Sequence, residues 1–263
     1  GADFVVGPLG RDEVDAVYGR QQLQVPVLAL NRGKDAPPAG SAGFSLAPED
    51  DGIVAAEYLR GRERGKALVI NSADDTGRRA AAAFAQRFAQ RGGQVVATIG
   101  VTDAVGDVGA QVRNAGQVDA VFLAVRAPQA RLLAPQLALA GAGGATRVGT
   151  SQLTVGSGKV EEDVALDGIV YPNEAWNVRS VSGLPSASQV ASTLPSARGA
   201  AGRLFAFGAD AWKITAYLDK LSNEGGLDGA TGTLFLDSNG NILRQPAWST
   251  FNGGRPMPIV GGR

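Results

Sequence analysis

The chain has 263 residues, 44% hydrophobic and 19% charged, with 25 Lys and Arg against 25 Asp and Glu, so no basic field is present to hold a nucleic-acid backbone. It contains no cysteine and no histidine, which excludes disulfides, thiolate chemistry, every Ser-His-Asp or Cys-His arrangement and the commonest metal sites. No apolar run approaches the roughly 18 residues needed to cross a bilayer, and the length suits two lobes of about 100–150 residues or one large α/β domain.

Taken in order, residues 2–6 read as a strand ending in Gly7-Pro8-Leu9, a turn where backbone can approach a cleft closely. A helix is expected over 12–22, with Val14, Val17 and Tyr18 inward, then a strand over 26–30 whose carboxyl-end loop is Asn31-Arg32-Gly33. Residues 34–42 are a Pro/Gly connection. Phe44-Ser45-Leu46 runs into a helix over 48–60, marked by Pro48 in its first turn and by Glu49, Asp50 and Asp51 beside its positive end. Helix-terminus electrostatics explain these three acids better than a catalytic cluster does.

Residues 65–101 form the organising stretch: strand, polar loop, amphipathic helix, strand. Ala67 to Ile70 is a short apolar run typical of a strand buried on both faces. Asp74, Asp75 and Thr76 are able to cap the helix that follows. Ala81, Phe84, Ala85 and Phe88 share one face at i, i+3, i+4 and i+7, and Gly92-Gly93 ends the helix. The unit is βαβ, so its loop lies at the carboxyl edge of a parallel sheet, where α/β folds place ligands.

The alternation continues with a helix over 107–114, a strand over 119–125, a helix over 128–140 and a strand over 147–150. Neither glycine run after this is a phosphate or dinucleotide cradle. Gly158-Lys159 is followed by Val160, with Leu153 where a phosphate loop has its first glycine; Gly156-Ser157-Gly158 has Glu161 where a third glycine belongs. A strand over 167–171 closes at Pro172. Residues 177–203 are a Ser/Pro/Ala/Gly connection with one short helix over 187–193. The longest helix is expected over 204–221 and stops at Gly225-Gly226. The tail changes to β: 231–236, a turn over 237–240, 242–244 and 247–251.

This order resembles the type I periplasmic binding-protein fold: α/β, two-lobed, parallel sheets flanked by helices. On that resemblance lobe one comprises 1–62 and 200–243 and lobe two 63–199 and 244–263. The first strand-helix units of lobe one are missing, and the natural polypeptide is expected to continue upstream, since GADFVVGPL reads as the middle of a domain.

Six segments carry a closer resemblance: GADFVVGPL (1–9), VPVLALN (25–31), FSLAPEDD (44–51), LDGIVYPNEAW (166–176), RLFAFGADAW (203–212) and GATGTLFLDSNGNILRQPAW (229–248). Together and in this order they resemble the LppC family. The resemblance implies a periplasmic protein held at the outer membrane by a lipidated amino terminus absent from this chain. It implies an upstream helical-repeat domain and one role, stimulation of a bifunctional peptidoglycan synthase (a penicillin-binding protein) by direct contact. No enzyme activity, cofactor, metal or nucleic-acid partner is expected.

The rival reading is a receptor for an amino acid or similar solute, the commoner use of the fold. Such receptors hold a carboxylate with hydroxyls and backbone N–H groups at the loops after the first lobe-one strands. Here those loops read Leu9-Gly10-Arg11-Asp12 and Asn31-Arg32-Gly33, with no hydroxyl in either. Ligand-cleft candidates are Leu9, Arg11, Asn31, Arg32, Asp75, Thr76, Arg126, Ser151 and Asn173, each alternatively a solvated loop residue. Partner-contact candidates are Trp176 and Arg179, with Trp176 alternatively packed beneath its own loop. A carboxylate-based hydrolase needs two facing acids; Asp75 and Glu174 are the pair available for that less favoured reading.

Overall fold

The computed structural model describes every residue except 21, 155, 156, 158, 198, 199, 222–225 and 260–263. The expected helix stop at Gly225, and the glycines at 156 and 158, lie outside the described residues. The strands are β1 (Val5–Val6), β2 (Val27–Ala29), β3 (Ala42–Phe44), β4 (Lys66–Ser72), β5 (Gln94–Val101), β6 (Ala120–Ala124), β7 (Thr146–Gly149), β8 (Val170–Asn173), β9 (Leu227–Asp228), β10 (Thr233–Leu236), β11 (Asn241–Gln245), β12 (Ala247–Asn252) and β13 (Arg255–Pro258). The helices are α1 (Arg11–Tyr18), α2 (Pro48–Arg60), α3 (Asp75–Gln90), α4 (Gly109–Asn114), α5 (Ala127–Leu137), α6 (Val160–Asp163), α7 (Ala175–Val178), α8 (Ala187–Thr193) and α9 (Ala200–Tyr217).

The strands form two sheets. One runs β1-β2-β3-β11-β10-β9, parallel from β1 through β11 and antiparallel beyond. The other runs β13-β12-β8-β7-β6-β4-β5, parallel from β5 to β8, with β12 and β13 added antiparallel.

The chain divides into two units, Gly1–Ala47 with Glu174–Pro246 and Pro48–Asn173 with Ala247–Arg263, one sheet in each. These divisions differ from the expected ones near 62/63, 199/200 and 243/244, for physical reasons. Helix α2 belongs to the second unit because its inner face, Ala55, Ala56 and Leu59, is buried with Phe84 and Phe88 of α3. The two helices touch backbone to backbone: a Cβ added at Gly52 would sit 2.2 Å from the Ala80 carbonyl oxygen. At the second division, Glu174 and Trp176 are anchored to α9 and to the loop before β10, as described below, which draws 174–199 into the first unit.

In the second unit, strand alternation sorts side chains onto two sheet faces. Ala67 and Val69 of β4, with Ala120, Phe122 and Ala124 of β6, face α2 and α3. Leu68 and Ile70, with Val121 and Leu123, face the other way into a cluster containing Val112 of α4 and Leu133 and Leu137 of α5. Both faces are therefore dry, which is why β4 and β6 read as unbroken apolar runs. In the first unit α9 covers one face through Phe207, Ala211 and Ile214, packed with Leu28, Phe44 and Leu234. Helix α1 covers the other through Val14 and Tyr18 against Val27 and Ala29. The Tyr18 hydroxyl donates to the Ala42 carbonyl at 2.6 Å and accepts from the Ala29 N–H at 3.1 Å, tying helix to sheet.

Candidate functional site

In the second unit the strand order reverses at β4: β5 lies on one side of it and β6 on the other. The carboxyl ends of β4 and β6 are thus a topological switch point, where doubly wound sheets leave a crevice. Asp74 occupies it. Its Oδ1 accepts from the Gly77 N–H at 2.8 Å, capping α3, and from the Ser72 hydroxyl at 2.9 Å. Its Oδ2 pairs with Arg126 Nη2 at 3.0 Å. The Gly77 N–H above all, then Ser72 and Arg126, hold this carboxyl below the usual range against the effect of burial. Arg126 is thus brought to the site, but Asp75 turns out to solvent, 70% exposed, and pairs with Arg79 at 3.2 Å. Thr76 is half-buried in the first turn of α3. Asp74 carries the role that the sequence divided among three residues, and the capping spacing from Asp74 to Gly77 was the signal for it.

Ser151, after β7, is buried. Asp51 reaches it from the first turn of α2: Asp51 Oδ2 accepts from the Ser151 N–H at 3.0 Å and from its hydroxyl at 2.6 Å. The reading of Asp51 as helix-terminus electrostatics alone is therefore incomplete, since the side chain is buried and pins the loop after a neighbouring strand. Asn173, at the end of β8, donates from Nδ2 to the Ser249 hydroxyl of β12 at 3.1 Å and is also buried.

In the first unit, the loops after β1 and β2 are stapled together. Asn31 Nδ2 donates to the Leu9 carbonyl at 2.9 Å, and Asn31 Oδ1 accepts from the Arg32 N–H at 2.9 Å. The Leu9 side chain is 64% exposed, Arg11 opens α1 in solvent, and Arg32 is half-buried.

The two partner-contact candidates have structural duties. Trp176 is buried, stacks on Phe205 at a centroid distance of 4.9 Å, and donates from Nε1 to the Pro185 carbonyl at 2.8 Å. It packs beneath its own loop and offers no free ring. Arg179 forks onto Asp228, with Nη1 and Nη2 at 3.1 and 2.5 Å from the carboxylate. Glu174 is 2% exposed and paired with Arg203 at 2.8 Å. It lies in the first unit and Asp75 in the second, and each is paired with its own arginine.

Around Trp176 three of the resembling segments meet. From 166–176 come Glu174 and Trp176; from 203–212, Arg203, Phe205 and Asp210; from 229–248, Ala230 and Thr231. Asp210 is 1% exposed and accepts from the Ala230 N–H at 2.6 Å, the Thr231 N–H at 2.7 Å and the Thr231 hydroxyl at 2.6 Å. The Ala230 carbonyl accepts from the Trp176 N–H at 2.9 Å, which closes the knot. Burial pushes the Asp210 carboxyl up, outweighing these hydrogen bonds and the Lys213 ammonium. Residue 229 must be small, because a Cβ there would stand 2.7 Å from an Asp210 oxygen.

The sequence profile of the LppC lipoprotein family matches residues 1–108 and 101–254. The chain belongs to the LppC family. The Enterobacter sp. (strain 638) protein named "Penicillin-binding protein activator LpoA" is 25% identical across 98% of this chain and 41% of its own length. Its Escherichia coli (strain K12) namesake is 24% identical, with 44% of its length covered. The chain thus spans less than half the length of these curated relatives. The solved LpoA (YraM) C-domain from Haemophilus influenzae, described as a regulator of PBP1A, superposes with a TM-score of 0.84 at 23% identity, over 98% of this chain and 82% of that one. An ABC-transporter solute-binding protein from R. palustris, solved in complex with benzoate, gives 0.58 at 15% identity over 98% of this chain and 77% of that one. The fold is the periplasmic binding-protein-like α/β architecture that the segment order implies. The LppC segments are largely the parts that build the first unit: the edge strand, the two strands beside it, and the knot around Asp210 and Trp176.

Proposed function

We propose that this chain is part of a non-catalytic regulator that binds and activates a bifunctional peptidoglycan synthase of the penicillin-binding class. The full protein is periplasmic and held to the outer membrane by a lipid anchor outside these residues. The observation that carries the reading is the likeness, across 98% of this chain, to proteins named as activators of a penicillin-binding protein. The site geometry agrees with it. Carboxylates of both units hold other parts of the chain: Asp51 holds Ser151, Asp74 Gly77 and Arg126, Asp75 Arg79, Glu174 Arg203, and Asp210 Ala230 and Thr231.

A solute receptor is the second reading, favoured by the fold shared with a benzoate-bound neighbour. The side chains after β1 and β2 weigh against it, since the Asn31 amide is consumed by Leu9 and Arg32 instead of pointing to a carboxylate. Two measurements on the full-length protein separate the readings. The first is glycan polymerisation and crosslinking by the cognate synthase with and without the protein, and a rise in either is expected. The second is calorimetry against amino acids and muropeptides. Micromolar binding of an amino acid, with no effect on any synthase, would leave the receptor reading standing in place of the regulator.

A further inference from the structure

In the second unit the outward face of α5 is apolar along its whole length. Pro128, Leu132, Pro135 and Leu139 recur at spacings of four, three and four, the ridge of a heptad pattern. All four are exposed, Leu132 by 53% and Leu139, in the turn that continues the helix, by 88%. The opposite face, with Ala130, Leu133, Ala134 and Leu137, is buried on the sheet. Pro135 lies inside the helix, where a proline removes a backbone donor, and it points outward. A proline ring offers apolar surface with no side-chain freedom to lose on contact.

No polar side chain interrupts the ridge, because those of α5 are held to either side of it. Gln129 donates to the Thr102 carbonyl at 3.2 Å; Gln136 donates to the Gly106 carbonyl at 2.9 Å and accepts from the Val108 N–H at 2.8 Å. Both thereby fasten the loop after β5. Arg131 reaches the other way, to Asp163 of α6 at 2.8 Å. At about 100° per residue, the ridge lies midway between these two edges. Each edge is acidic: Asp103 and Asp107 are exposed in the loop after β5, and Glu161 and Glu162 in α6. With Asp163 these make five carboxylates, against the three cations Arg113, Arg131 and Lys159. Arg131 is neutralised by Asp163 and Lys159 by Glu162, whereas Asp103, Asp107 and Glu161 have no ion pair among the described residues.

We infer that this face seats an amphipathic helix of another protein, apolar along one ridge and lined by Lys or Arg on both edges. Charge complementarity selects that occupant. A second copy of this chain would set its acidic edges against these, and an anionic lipid surface would be repelled in the same way. The heptad spacing fits a helix laid along the ridge, its side chains entering between those of α5. At about 17 Å by 10 Å the ridge falls well short of the about 800 Å² per partner that a standard interface buries, which suits a transient contact made by one helix.

The test titrates the 263-residue chain into a fluorescein-labelled peptide of about three heptads, with Leu at a and d, Lys at e and g, and side-chain staples that hold it helical; anisotropy reports binding. Saturable binding with a Kd of about micromolar order is expected, weakening as salt is raised. The same peptide with Glu in place of Lys should bind at least about tenfold more weakly. Leu132→Ser combined with Leu139→Ser should also lose at least about tenfold, as should Asp103→Lys combined with Glu161→Lys. Asp219→Lys, at an exposed acid of the first unit, should stay within about twofold of the parent chain. Melting temperatures of parent and variants check that the fold survives, and the comparison of the two peptides needs no variant. Absence of saturable binding, or equal binding of the two peptides, would overturn the inference. So would parent-like binding by the ridge variant. Self-association of the chain that Leu132→Ser with Leu139→Ser abolishes would assign the face to a second copy. Binding to phosphatidylglycerol vesicles that the same variant abolishes would assign it to a lipid surface, and either result refutes the basic helix.

Discussion

Each unit contains a buried helical aspartate that clamps a loop through one residue's N–H and hydroxyl together. In the first unit Asp210 of α9 grips Thr231 at 2.7 and 2.6 Å; in the second Asp51 of α2 grips Ser151 at 3.0 and 2.6 Å. The two clamps differ in what else converges on the carboxylate. Asp210 also accepts from Ala230, whose carbonyl anchors Trp176. Asp51 closes a single turn after β7. The same device is therefore a hub in one unit and a local staple in the other. A buried carboxylate here signals architecture, because its lone pairs are spent on backbone that would otherwise be orphaned.

The comparison breaks if the two aspartates prove equivalent. Asp210→Ala should have the largest effect, a loss of about 3–4 kcal/mol, because three short bonds to a charged acceptor vanish and two backbone donors are left buried. Asp51→Ala should cost about 2–3 kcal/mol, with one backbone donor orphaned. Denaturant unfolding of two single-tryptophan variants separates them, one keeping Trp176 in the first unit and the other Trp248 in the second. Equal shifts for the two variants would show that the two clamps are equivalent.

Smaller substitutions sharpen the same contrast. Thr231→Val and Ser151→Ala each remove one hydroxyl and leave the backbone N–H in place. About 1 kcal/mol is expected for each, with Thr231→Val the larger because its site is fully buried. A loss at Ser151→Ala as large as at Asp51→Ala would mean that the hydroxyl alone makes the staple.

Much of this fold was legible in the sequence, for reasons that locate what was not. Strands β4, β5 and β6 announce themselves because both sheet faces are dry and their apolar runs are unbroken. Helix α3 announces itself because one face is apolar and the other charged. Strand β3 is not expected from the sequence, which has a connection over 34–42, since Ala42-Gly43-Phe44 offers one large side chain; a Cβ at Gly43 would stand 2.9 Å from the Asn241 side-chain oxygen. The sequence closes a strand at Pro172, yet this residue lies inside β8, paired antiparallel with Trp248. The site was less legible than the fold. Asn31, Ser151 and Asn173 are loop-end polar residues of the expected kind, but their partners are Leu9, Asp51 and Ser249, at sequence separations of 22, 100 and 76. No local pattern encodes such a pairing. Trp176 offers two readings in sequence, a partner contact or packing beneath its own loop, and the structure has it packed there. Along 204–221 the apolar spacing of Ala211, Ile214 and Leu221 marks the buried stripe, and Trp212 lies off it, exposed.

The smallest expected effect is one of sign. Asp210 and Asp74 are both aspartates beside cations, and their carboxyls are displaced in opposite directions: burial raises Asp210, and the Gly77 N–H foremost lowers Asp74. The unfolded chain titrates both near about 3.9. A carboxyl raised in the folded state binds its proton more tightly there. The stability linked to Asp210 is thus fully present below the unfolded value and is lost as pH rises through the folded one. For Asp74 the stability is present above the unfolded value and is lost as pH falls through the folded one. Unfolding midpoints for the parent chain, Asp210→Asn and Asp74→Asn between about pH 3 and pH 7 should show two opposite trends. The deficit of Asp210→Asn should widen toward acid, as the parent gains from protonation and the variant does not. The deficit of Asp74→Asn should narrow, as the parent loses the charge that caps α3 and pairs with Arg126. If both deficits narrow toward acid, the three donors around Asp210 outweigh its burial, and the hub is held as an anion in the same way as the exposed cap.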